Sequence, residues 1–100
     1  MYTVQLTEGF RAWLKSLRDR RANTAIVLRL QLVVAGSLGD WRPVGGNVSE
    51  MRIRVGAGYR IYFIRRGRGI IVVLAGGDKS SQRKDIERAM QIATQLERES

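Results

Sequence analysis

The chemistry open to this chain rests on a few cations and one carboxylate. From Glu50 to Phe63 apolar and polar residues alternate at a period of two, pass a Gly56-Ala57-Gly58 turn, and alternate again. A strand with that period sends successive side chains to opposite faces. Met51, Ile53 and Val55 therefore share one face, and Glu50, Arg52 and Arg54 the other. Beyond the turn, Tyr59, Ile61 and Phe63 share one face, and Arg60 and Tyr62 the opposite one. Lys79 follows later, in Gly76-Gly77-Asp78-Lys79. Arginines crowded on one face of a hairpin repel at cross-strand distance, so the pattern predicts a polyanionic ligand. Guanidinium groups contact phosphate in pairs of hydrogen bonds and stabilise charge. Their pKa is too high for routine proton shuttling, whereas a lysine crowded by other cations gives up its proton more readily.

What is missing narrows the chemistry further. The chain has no cysteine, which removes disulfides, thiolate metal sites and thiol nucleophiles. It has no histidine, which removes ordinary zinc sites and histidine acid–base pairs. No metal or cofactor is called for. Net charge is +9, and residues 41–84 concentrate it, with ten Lys/Arg against two acids. Fifteen of the 18 basic residues are arginine, the side chain suited to phosphate recognition.

The elements that must position these groups follow from periodicity. One hundred residues suffice for a single domain, 1–100, with its own core. Residues 2–6 read as a short strand. Thr7 is placed to cap a helix carrying Phe10, Trp13, Leu14 and Leu17 on one stripe. Asp19 is placed to cap a second helix, with Ala22, Ile26, Leu30 and Val33 or Val34 inward and Gly36 at its end. Pro43 marks residues 41–45 as an edge strand or irregular lead-in. Strands over 48–55, 58–65 and 70–76, joined by short glycine-rich links, predict an antiparallel meander. The apolar run Ile70–Ala75 predicts a strand covered on both faces. Ser80 or Ser81 then caps a last helix with Ile86, Ala89, Met90, Ala93 and Leu96 inward. The order is β-α-α-β-β-β-β-α in one α+β domain. No stretch resembles a leader peptide or reaches the roughly 20 apolar residues of a membrane span, and a soluble, cytoplasmic protein with no membrane partner is expected.

With these elements in order, Leu38-Gly39-Asp40, Val44-Gly45, Glu50-Met51-Arg52-Ile53, Gly58-Tyr59-Arg60-Ile61-Tyr62-Phe63 and Gly76-Gly77-Asp78-Lys79-Ser80 closely resemble the RelE/HigB-type toxins of bacterial toxin–antitoxin modules. The nearest branch in appearance is the phage-derived addiction module killer group. The resemblance covers Phe10 to about Ala89. It implies a small twisted antiparallel sheet packed on an N-terminal helical hairpin plus a C-terminal helix, with a concave basic surface. It also implies a metal-independent endoribonuclease that cuts translated mRNA in the ribosomal A site. The partners it implies are the 70S ribosome with its mRNA and a cognate antitoxin, in this branch usually a helix-turn-helix protein, in a toxin–antitoxin hetero-oligomer.

Cutting RNA without metal uses the 2′-hydroxyl as nucleophile, so the site must help remove its proton, stabilise the phosphorane and protonate the departing 5′-oxygen. On that implication Arg52, Arg54 and Arg60 are phosphate and transition-state clamps, and Lys79 is a proton donor or further clamp. Glu50 is either a base or the orienting partner of an arginine. Arg42, Arg65, Arg66, Arg68, Arg83 and Lys84 are expected RNA contacts. Tyr62 either stacks on a base or packs, while Tyr59 and Trp13 read as core and Trp41 stays open. The chain departs from the family in having no tyrosine or histidine from Asp78 to Ser100, which leaves the general acid open. Two alternatives stand beside the nuclease: a ParE-type poison of DNA gyrase, which shares the fold, and a non-catalytic RNA-binding module.

Overall fold

In the computed structural model, which describes residues 1–99, the N-terminal helices begin where side-chain oxygens meet orphan N–H groups. Thr7 Oγ1 accepts from Phe10 N (3.1 Å) to open α1 (Glu8–Ser16), and Asp19 Oδ1 accepts from Ala22 N (3.0 Å) to open α2 (Arg20–Val34). Ala22, Ile26, Leu30 and Val33 of α2 are buried and Val34 is exposed, which settles the inward stripe.

Five strands make one sheet in the order β1-β5-β4-β3-β2: β1 (Thr3–Leu6), β2 (Trp41–Gly45), β3 (Val48–Ile53), β4 (Tyr59–Arg66) and β5 (Ile70–Gly77). β2 to β5 form the expected antiparallel meander, whereas β1 joins the edge parallel to β5, Thr3 opposite Ile70. A strand followed by a helical hairpin is free to run parallel to its neighbour, because no tight turn reverses it. β3 stops at Ile53, so Arg54 and Val55, expected within the strand, lie beyond the ladder. The turn closes early: Val55 N donates to Ile53 O (2.9 Å) and Gly58 N to Val55 O (3.2 Å).

The helices cover both faces of this sheet. On one, α1 and α2 enclose a core that includes Phe10, Ile26, Met51, Ile61, Phe63 and Val73. On the other, α3 (Gln82–Glu99) seats Ala89 and Ala93 over Val48, Tyr62, Ile64, Val72 and Leu74. β5 is thus covered on both sides, as its apolar run requires. A bulge opposite Tyr62 and Phe63, which face Ala75 and Val73, lets Leu74 and Ala75 both join the α3 side. Met90, expected inward, is exposed instead and lies beside Gly45. The two alanines bring α3 close to the sheet and leave the long side chain at the margin. The polar face of the meander is therefore half roofed, not open.

Candidate functional site

The site is built where β5 hands over to α3. Gly76 and Gly77 end the strand, and a side chain at either would displace a packed neighbour. A Cβ at Gly76 would lie 2.4 Å from the Trp13 ring, and one at Gly77 would lie 1.8 Å from Asp85 Oδ2 and 3.0 Å from Ser81 Oγ. The glycine pair therefore lets α1 and the start of α3 press on the strand from opposite sides. Asp78 then accepts from Ser80 N (2.8 Å) and from the Ser80 hydroxyl, capping a 3-10 turn, Lys79–Ser81. Those hydrogen bonds hold the Asp78 carboxyl below the usual carboxylate range. Asp78 rather than Ser80 is thus the cap of this turn. Ser81 directly precedes α3 and donates to Asp85 Oδ2 (2.6 Å).

The turn presents Lys79 opposite Gly58, whose φ of 76° suits glycine and which lies beside Lys79 and Arg60. Between them opens a cavity of about 320 Å³ lined by Arg52, Ile53, Arg54, Gly56, Gly58, Tyr59, Arg60 and Lys79. Four expected catalytic cations thus meet in one cavity whose lining has no carboxylate.

They are held very differently. Arg52 and Arg60 face each other across the β3–β4 ladder. The Arg60 side chain is 12% exposed, and its Nη1 donates to Gly58 O (3.0 Å). Beneath them lies Glu50, with no exposed surface. Its Oε1 accepts from Arg42 Nε (3.1 Å) and Arg52 Nε (3.4 Å) and lies 3.7 Å from Arg60 Nε, while Oε2 accepts from Gln82 Nε2 (2.9 Å). Both oxygens are engaged and none lines the cavity, so of the two roles expected of Glu50 the geometry fits the orienting one and not the base. Arg54 corrects a further expectation. Beyond the strand end, it is 74% exposed and donates through Nη2 to Asp40 Oδ2 (3.0 Å), held by a surface carboxylate rather than by the sheet.

Tyr62 is wholly buried beneath α3, so no ring face is available to a base and the packing reading holds. Its hydroxyl has no hydrogen-bond partner among the described residues, and burial, then the Glu50 and Asp85 charges, push its pKa up. Tyr59, expected as core, is buried and also forms a cavity wall. Burial, then Asp19 and Asp78, push its phenol up as well, so it stays protonated. The remaining expected contacts lie apart from the cavity. Arg42 is half-exposed and bound to Glu50, and Arg66 Nη2 donates to Leu96 O (3.2 Å). Arg65, Arg68, Arg83 and Lys84 are exposed, the first two at the opposite end of β4 or in the turn after it.

One positioning residue was not singled out from the sequence. Arg29 reaches from α2 to Leu38 O (3.0 Å), Asp40 O (2.7 Å) and Arg52 O (2.8 Å). It thereby joins the Leu38-Gly39-Asp40 turn to the end of β3, and a Cβ on Gly39 would lie 2.8 Å from its guanidinium. The available signal was a lone arginine in Val27-Leu28-Arg29-Leu30, on a helix otherwise apolar there.

Comparison with known proteins places this architecture among relatives. Residues 12–97 match the family model described as Phage derived protein Gp49-like (DUF891). The chain is also similar to an uncharacterized protein of Haemophilus influenzae, 37% identical over 93 residues, spanning 93% of this chain and 94% of that protein.

Proposed function

This chain belongs to the phage-derived Gp49-like family, a group associated with toxin–antitoxin systems, and on that premise we propose that it is the toxin of such a pair, an endoribonuclease that cuts mRNA in the ribosomal A site. The observation that carries the reading is the convergence of Arg52, Arg54, Arg60 and Lys79 on one cavity without a carboxylate in its lining. A phosphodiester entering it meets two guanidinium groups fixed on neighbouring strands, the preorganised donors that a developing phosphorane requires. The 2′-oxygen forms its bond to phosphorus as the bond to the 5′-oxygen breaks. Arg52 and Arg60 hold the equatorial charge, and the Lys79 ammonium gives a proton to the departing 5′-oxygen. Glu50 touches no substrate and acts through the two arginines that it orients.

No lining residue serves as the base. The cavity offers guanidinium, ammonium and a phenol that holds its proton. No lining side chain is placed to take the proton of the 2′-hydroxyl, which supports an acceptor supplied by the ribosome and hence a ribosome requirement. The neutralising partner is a cognate antitoxin, of helix-turn-helix type in this reading, bound in a hetero-oligomer.

A cell-free translation reaction with the purified protein, followed by mapping of mRNA ends, tests the proposal. Cuts positioned by codon and dependent on ribosomes are expected. Rapid multiple-turnover degradation of naked RNA overturns the ribosome requirement. Gyrase-linked DNA breaks point instead to a ParE-type poison, and neither outcome leaves an RNA-binding module.

A further inference from the structure

We propose that Trp41 and Arg65 form a stacking platform for an unpaired base of the RNA strand whose backbone occupies the cation-lined cavity. The inference rests on the RNA reading above and assigns a binding surface beyond the cavity.

Trp41 opens the edge strand β2 and is 38% exposed, whereas Phe10, Tyr59, Tyr62 and Phe63 are buried. Its ring meets Phe63 edge-on, with centroids 6.1 Å apart, and the Arg65 guanidinium carbon lies 4.9 Å from the indole centroid. Packing accounts for the Phe63 contact but not for the arginine. Among the described residues no hydrogen bond or ion pair engages the Arg65 guanidinium, so its charge and donors stay available over the ring. The two acids in residues 41–84 are already engaged, Glu50 beneath its arginines and Asp78 in its cap. A guanidinium lying over the indole, with no ion-pair partner among the described residues, matches a ligand that combines π faces with phosphates. That ligand is single-stranded nucleic acid, because paired bases keep their faces within the duplex.

Position supports the same occupant. Trp41 follows Asp40, whose carboxylate holds Arg54 and whose carbonyl accepts from Arg52 N (3.2 Å). The platform thus begins one residue from the anchor of two cavity arginines. Trp41 pairs with Met51 and so lies on the sheet face opposite Arg52 and Arg60. Among the described residues no strand flanks β2 on its outer side, so a strand leaving the cavity reaches the indole by rounding this edge.

The test titrates the intact protein, Trp41→Leu and Arg65→Ala with a short single-stranded oligoribonucleotide, the same RNA as a duplex, and inorganic polyphosphate, following tryptophan fluorescence and affinity. The single strand should quench the intact protein and polyphosphate should not. Each substitution should weaken single-strand binding on the order of tenfold. Trp41→Leu should also lose the quench and leave polyphosphate binding unchanged, and Arg65→Ala, which removes a charge, should weaken polyphosphate less than the single strand. Thermal melts check folding, and Arg65→Ala, which removes only an exposed side chain, keeps the test valid if Trp41→Leu is unstable. Single-strand affinity unchanged in both variants, or RNA and polyphosphate weakened alike, overturns the platform. So does a quench caused by the antitoxin and not by RNA. If the variants bind as the intact protein does while Arg60→Ala abolishes ribosome-dependent cleavage, the platform falls and the nuclease reading survives. If the intact protein neither cuts mRNA on ribosomes nor prefers RNA to polyphosphate, both fall.

Discussion

The two ends of β4 carry the same residue type in two different states. Near its start, Arg60 faces Arg52 across the ladder, above a buried carboxylate, with Lys79 brought in by the turn after β5. Near its end, Arg65 and Arg68 are exposed around Arg66-Gly67-Arg68-Gly69, and Arg66 donates to a backbone carbonyl of α3. The difference is not the number of cations but what lies beneath them. Two guanidinium groups at cross-strand distance repel unless a counter-charge holds them, and Glu50 supplies it from inside the protein. The far end has no buried carboxylate beneath its arginines: Arg65 rests on the Trp41 ring, Arg66 on a carbonyl, and Arg68 attracts polyanions without fixing them.

The comparison is broken most severely by removing the anchor. Glu50→Ala leaves Arg52 and the nearly buried Arg60 without their partner, and the loss of stability should be about 3–5 kcal/mol. Arg42→Ala, at the half-exposed end of the same network, should cost no more than about 1 kcal/mol. Thermal or urea melts compare them, and equal losses would mean that Glu50 is not the hub. Next, Arg60→Ala should slow cleavage with saturating ribosomes on the order of a hundredfold, about 3 kcal/mol in the barrier. Arg54→Ala, whose guanidinium is already shared with Asp40, should lose less. Arg68→Ala should leave turnover nearly unchanged while flattening the salt dependence of RNA binding. If the far turn loses more turnover than Arg60→Ala, the cavity is not the site.

Smaller effects sharpen the contrast. Gly77→Ala forces a methyl group against Asp85 and Ser81, and displacing the start of α3 should cost about 1–3 kcal/mol by melt. Tyr62→Phe removes a buried hydroxyl with no hydrogen-bond partner, so stability should hold or rise by about 1 kcal/mol, with cleavage retained. A loss of cleavage at full stability would show that the hydroxyl serves the site. The smallest effect is that of acid on the cap. The Asp78 carboxyl sits below its ordinary pKa in the folded protein. Its stabilisation is therefore complete above the unfolded value of about 4 and is lost as pH falls through the lower folded value. Asp78→Asn should flatten that part of the acid melting profile.

Local rules carried much of this. Thr7 and Asp19 were legible as caps because a capping oxygen acts within three residues of its own position. The faces of Glu50, Arg52, Arg60 and Tyr62 were legible from alternation. The convergence of Arg52, Arg54, Arg60 and Lys79 was legible through resemblance, on the Gly58-Tyr59-Arg60 strand and Gly-Gly-Asp-Lys taken together. Arg54 misled because alternation runs on to Val55 in the sequence, while the turn takes Val55 N out of the ladder.

By itself, then, the sequence determined the order of elements, their caps and the residues that share each side of the meander, since each depends on periods and contacts a few residues long. Tertiary structure alone decided what covers those sides. The pattern placing Glu50 and Tyr62 with the arginines is the same whether that face meets water or a helix. Seating α3 needs Gly76 and Gly77 to be bare against Trp13 and Asp85, and Ala89 and Ala93 to let the helix approach. These are contacts between segments far apart in the chain, and they turn an apparently open arginine face into a buried carboxylate with its cations at the rim. Arg29 makes the same point from α2, because its donors find carbonyls that lie together only after the sheet has closed.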